Sequence, residues 1–158
     1  MKRVIIALDF DPSAQKVAEE GYALAKALKA KVTLVHVKAD ADYYSSLGQV
    51  VVIGFSGHLK DDLPIAPDRI DPDTISQEFL NKAMLHLADK NIEVMVANGS
   101  CANSLIDAAN QLNAYMIVMG SHSRKWFENT TIGSVTQKVL LGSSIPVFVI
   151  PTNKNRID

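Results

Sequence analysis

Five short apolar runs, residues 4–8, 32–37, 92–96, 115–119 and 147–150, recur along the chain with helical periodicity between them. Most are nearly continuous. A strand with one wet face alternates polar and apolar residues, so unbroken runs mark strands covered on both faces, as in parallel sheets. The intervening stretches supply the covering helices. Asp11 and Pro12 open the first, in which Val17, Gly21, Leu24, Ala25 and Leu28 follow the helical repeat. A second Asp-Pro pair, Asp71 and Pro72, starts the next, with Ile75, Phe79, Ala83 and Leu87 on one stripe and an end near Asn91. The third opens at Ser100 and aligns Cys101, Leu105, Ala108, Ala109 and Leu112. A short fourth runs from Gly133 to Leu141 with Val135 and Val139 inward, and Gly142 and Pro146 separate it from the last strand. Strand and helix alternating in this way imply right-handed crossovers and a doubly wound α/β fold with an open parallel sheet and helices on both faces.

A chain of 158 residues is the size of one domain. Residues 39–70 are too long for an ordinary connection and read as an insertion. Its first part, Gly48 to Gly57, is apolar and suits covering a sheet end or a partner surface; its acidic part, Leu59 to Asp73 with five Asp, suits a solvated loop. The formal net charge of -1 gives no field that favours nucleic acid or anionic lipid. No apolar stretch approaches the ~20 residues that span a bilayer, and nothing after Met1-Lys2-Arg3 reads as a cleaved leader. A single cysteine, Cys101, makes no internal disulfide, and no Cys/His spacing matches a zinc site, so a reducing, cytoplasmic compartment and no metal are expected.

Ligands of open α/β sheets bind beyond the carboxyl ends of the strands, where the strand order reverses. The turn after the fourth strand is the informative one: Met119-Gly120-Ser121-His122-Ser123 leads through Arg124, Lys125, Trp126 and Phe127 to Gly133-Ser134-Val135. Glycine permits close approaches, and a helix beginning at Gly133 exposes unpaired N–H groups that favour an anion.

The spacing Gly120-x2-Ser123-x9-Gly133-Ser134 resembles the Gly-x2-Gly-x9-Gly-Ser/Thr signature of the universal stress proteins. Asp9 after the first strand, Leu34-Val35-His36-Val37, Gly99, Ile117-Val118-Met119-Gly120-Ser121-His122 and Pro146-Val147-Phe148-Val149-Ile150 extend the resemblance over almost the whole chain. It implies a five-stranded sheet in the order 3-2-1-4-5 and an adenine nucleotide, ATP with or without magnesium, held between strands one and four. Asp9 would then lie near the ribose and the Val37 backbone would read the adenine edge. Met119, Gly120, His122, Ser123, Gly133, Ser134 and Val135 would form the phosphate loop. Ser123 stands where the signature has its second glycine; at a positive φ that exchange costs on the order of 1 kcal/mol and narrows the space for phosphate. The resemblance also implies a homodimer through residues 147–150 and a regulatory role read by a protein partner.

Each residue has a plainer reading. Asp9 can finish a strand, and Asp11 is explained as a cap. His36 reads as a satisfied core histidine, and His122 either contacts phosphate or pins the loop. Trp126 and Phe127 anchor the loop or meet a second subunit. Cys101, on the apolar stripe, reads as an inert core residue. No Gly-x4-Gly-Lys-Ser/Thr loop or Gly-x-Ser-x-Gly elbow is present, so no catalytic residue is named. A stress-response protein that binds ATP is therefore expected, with a slow ATPase and a dimeric scaffold without nucleotide as the alternatives.

Overall fold

The structure, a computed structural model, describes residues 1–11, 13–38, 71–121 and 132–152. The elements alternate as the apolar runs require: β1 (Arg3–Ala7), α1 (Ala14–Ala27), β2 (Lys31–Val37), α2 (Pro72–Leu87), β3 (Glu93–Ala97), α3 (Cys101–Gln111), β4 (Met116–Gly120), α4 (Ser134–Gly142) and β5 (Val147–Ile150). The strands form one sheet in the order β3-β2-β1-β4-β5, and every pairing is parallel. This is the doubly wound architecture. The strand limits differ from the apolar runs by one residue at most positions, because pairing rather than hydropathy decides where a strand ends.

Unbroken apolar strands follow from two covered faces. Val4, Ile6, Leu34 and Val118 pack with α1 and α2 residues such as Val17, Ala18, Ile75 and Phe79. Ile5, Val35, Ile117 and Met119 turn the other way onto α3 and α4, against Leu105, Ala109 and Val139. Alternation along each strand thus serves two apolar layers. Gly21 lies where α1 presses closest on the sheet, and a Cβ there would come within 3.0 Å of both Ile6 and Val118.

The helix starts match their sequence signals. The Asp71 carboxylate accepts the Asp73 N–H at 3.2 Å, and Pro72 occupies the first helical position, where a missing N–H leaves nothing unpaired. α1 is the exception: its N-cap is Ser13 rather than Asp11, the helix begins at Ala14, and the Asp11 carboxylate accepts the Ser13 N–H at 2.9 Å in the turn before it. Pro12 lies outside the described residues.

The end of α2 does not match. α2 stops at Leu87 rather than near Asn91, because Ala88 turns into the left-handed region at φ 53° and its N–H donates to Leu85 O at 3.1 Å. Lys29 and Asn113 do the same after α1 and α3, at φ 52° and 50°. The expected insertion at 39–70 lies outside the described residues, apart from its acidic end, where Asp71 and Asp73 open α2.

Candidate functional site

The carboxyl edge of the sheet brings the sequence-predicted residues together. Ala7 pairs with Val35 and Ile6 with Val118. The ends of β2, β1 and β4, at Val37, Ala7 and Gly120, lie side by side in one line, and Asp9 follows two residues after the middle one. Backbone groups of a strand point to alternate sides, and the Val35 carbonyl accepts the Leu8 N–H at 2.9 Å. Val37 therefore aims its own N–H and C=O towards β1, beyond the last paired residue of that strand.

Asp9 follows the middle strand of this line. The Asp11 N–H donates to the Asp9 carbonyl at 2.8 Å, which folds the chain into a tight turn as it leaves β1. Burial and then the nearby Asp11 charge push the Asp9 carboxyl up to about 7. Such a group gains from hydroxyl donors, which stabilise its charged form. His36, beside it in β2, is buried; its Nδ1 donates to Leu8 O at 2.8 Å, and its ring meets Phe10 and Phe79 edge-on. It is the core histidine expected.

On the far side, α4 opens with no side-chain cap among the described residues. Its N-cap, Gly133, has no side chain to offer, and the first turn contains no acidic residue. The first bond along the helix runs from Gln137 N–H to Gly133 O at 3.0 Å, so the Ser134, Val135 and Thr136 amides have no partner within the helix. Three such amides and the positive end of a helix dipole suit a phosphate. The donor set therefore fits the phosphates of a nucleotide. Gly133 itself is committed, because its N–H donates to Ser121 O at 2.7 Å.

Two further residues named from the sequence, Gly120 and Met119, are packed on the protein's own side chains. A Cβ on Gly120 would meet Thr152 Cγ2 at 3.0 Å and Val17 Cγ2 at 3.1 Å, so this chain's own side chains fill the space that the glycine leaves. The Met119 side chain is buried in the core towards α3 and α4, which leaves only its backbone at the strand end. Val135 is half-buried against that same core and Ser134 is exposed. His122 and Ser123 lie outside the described residues, as do Arg124, Lys125, Trp126 and Phe127.

Cys101 corrects an expectation. It is exposed rather than in the core, and Ala102 takes the buried position beside Leu105. Local burial and then the Asp9 charge hold the thiol above its ordinary pKa, which places Cys101 on the same edge as Asp9.

Sequence reasoning missed Thr136 and Ser121. Thr136 is buried and its hydroxyl donates to Gly120 O at 2.9 Å; Ser121 Oγ accepts the Thr152 N–H at 3.0 Å. The only signal was position, since Thr136 stands one turn after Gly133.

A cavity of about 520 Å³ lies at the opposite, amino end of the strands, lined by Lys26, Lys29, Lys31, Asp89 and Glu93 among others. Its carboxylates are already occupied, Asp89 by Tyr22 Oη at 2.8 Å and Glu93 by Arg3. Among the described residues no group of three His, Cys, Asp or Glu could hold a metal ion, and no helix is long and apolar enough to cross a membrane.

Comparison with known proteins agrees with this geometry. The sequence profile of the universal stress protein family matches residues 1–151. The stress response protein NhaX of Bacillus subtilis is 26% identical over 162 residues, which span 94% of this chain and 96% of the relative. A universal stress protein solved in complex with cAMP superposes with a TM-score of 0.62 at 17% identity, covering 96% of this chain and 98% of its own. The universal stress protein of Archaeoglobus fulgidus in complex with dAMP gives 0.58 at 21% identity, covering 95% and 97%. With its profile matched almost end to end, the chain belongs to the universal stress protein family.

Proposed function

We propose that the protein is a stress-response regulator that binds an adenine nucleotide, ATP in the first instance, and acts through what it holds rather than through fast turnover. One observation carries the reading: the first turn of α4, with three amides unpaired within the helix and no side-chain cap among the described residues, is bonded to Ser121 at the carboxyl edge of the sheet, the edge where Asp9 follows β1. Phosphate oxygens would accept from the Ser134, Val135 and Thr136 amides. Ribose hydroxyls would donate to Asp9, and the Val37 backbone would pair with the adenine edge. Two structural neighbours were solved with adenine nucleotides, cAMP and dAMP, which supports adenine as the base. Magnesium enters this reading as the counter-ion of ATP.

The same reading includes a homodimer through β5. Among the described residues this strand pairs only with β4, Phe148 is 43% exposed, and an open edge invites a second copy. The lone cysteine suits a reducing cytoplasm.

The test is direct. Millimolar ATP should raise the melting temperature of the purified protein, and Gly133→Asp should abolish the rise, because a carboxylate would meet the phosphates. Native protein should release 260 nm-absorbing material on denaturation and filtration. A clean protein that ATP does not stabilise would favour a dimeric scaffold without nucleotide. Magnesium-dependent hydrolysis at ~1 per second or faster would favour an enzyme.

A further inference from the structure

We infer that Thr136 is a positioning residue for phosphate, and that its hydroxyl with the Ser121 carbonyl forms a clasp that holds the first turn of α4 in its anion-binding shape. The inference rests on the nucleotide reading above and adds the residue that tunes it.

A helix N-terminus frays readily, and unpaired amides bind an anion well only when they are held convergent before it arrives. Here the turn is fixed at two points. The Gly133 N–H donates to Ser121 O at 2.7 Å, and the Thr136 hydroxyl donates to Gly120 O at 2.9 Å. The donors stand three residues apart, one helical turn, and their acceptors are consecutive residues at the end of β4. The turn therefore docks on the strand by a two-point contact that fixes its rotation. The strand end is anchored in its turn: Ser121 N–H donates to Ile150 O at 2.9 Å, and Thr152 N–H donates to Ser121 Oγ at 3.0 Å.

Thr136 does not use its hydroxyl as helical threonines commonly do, on a carbonyl of the preceding turn. It reaches a residue 16 positions earlier in the chain and is only 2% exposed, so water is poorly placed to replace it. Its loss leaves the part-buried Gly120 carbonyl without this donor and frees the turn that presents the three amides. Adenosine, which has no phosphate, makes no use of that turn.

The experiment compares binding of ATP, AMP and adenosine by the full-length wild type, Thr136→Val and Thr136→Ser, with thermal unfolding of each unliganded protein. Thr136→Val keeps the shape and removes the hydroxyl. It should weaken ATP and AMP about tenfold and leave adenosine unchanged, and Thr136→Ser should restore both nucleotides. If Thr136→Val does not fold, Ser121→Ala, which cuts the anchor to Thr152, should show the same phosphate-selective loss. Equal weakening of all three ligands, or none, overturns the positioning role while nucleotide binding stands. A wild type that binds neither ATP nor AMP overturns both.

Discussion

The imidazole of His36 donates from Nδ1 to the Leu8 carbonyl across 2.8 Å, tying the end of β2 to the chain just where β1 leaves the sheet. Desolvation pulls the His36 pKa below its ordinary value, and the Leu8 bond opposes that only partly. The folded protein therefore resists a proton that the unfolded chain accepts. This stability is fully present above the unfolded pKa of about 6.5 and is lost as pH falls from there through the folded value. His36→Asn should be less stable at pH 8, and the gap to the wild type should narrow towards pH 5 in urea titrations. A constant gap would mean that His36 does not titrate on unfolding.

Asp9 works in the opposite sense. With its folded carboxyl at about 7 against 3.8 for the free group, the folded state keeps a proton that the unfolded chain has released. Ionised Asp9 then opposes folding above pH 7, and the penalty fades as pH falls towards 4. Asp9→Asn should stabilise the unliganded protein at pH 8 by a few kcal/mol at most, with no gain near pH 4. The same substitution should shrink the ATP-induced rise in melting temperature. A variant no more stable at pH 8 would show that the Asp9 charge is compensated.

Ala88 ends α2 at φ 53°, in a region where glycine pays no Cβ penalty, and it is exposed. Ala88→Gly should raise stability by up to about 1 kcal/mol, less what the freer unfolded chain takes back. Calorimetry should show a melting temperature a few degrees higher. A lower one would mean that the unfolded-state term dominates.

These ends explain what the sequence displayed and what it hid. The strands were legible because both faces are apolar, and the opening of α2 was legible because Asp71 bonds locally, whereas Asp11 bonds the N-cap Ser13 and α1 opens beyond it. The helix ends were not, since Lys29, Ala88 and Asn113 fill positions where glycine is the usual signal. For the proposed site, the glycine spacing pointed to α4; in the structure Gly120 is packed and the Gly133 N–H is bonded, while the Ser134, Val135 and Thr136 amides have no partner within the helix. The bond from Thr136 to Gly120 joins residues 16 apart through a turn of the fold that no local pattern encodes. Cys101 was misplaced because helical period gives a face without fixing which residue of the first turn meets the core, and there it is Ala102.

The open edge at β5 gives the last prediction. Phe148 is 43% exposed between the half-buried Val147 and Val149, and Leu141 on α4 is 83% exposed. Exposed apolar groups beside an unpaired strand are what a second copy would cover, and a charge placed there should repel it. Phe148→Lys should convert a dimer into a monomer in sedimentation at low micromolar concentration. Its effect on monomer stability should be small, about 1 kcal/mol or less, because little burial is lost. ATP-induced stabilisation should survive, since Phe148 lies on β5 and the amides of α4 do not depend on it. A wild type that sediments as a monomer would remove β5 from any such interface, whatever the nucleotide experiments show.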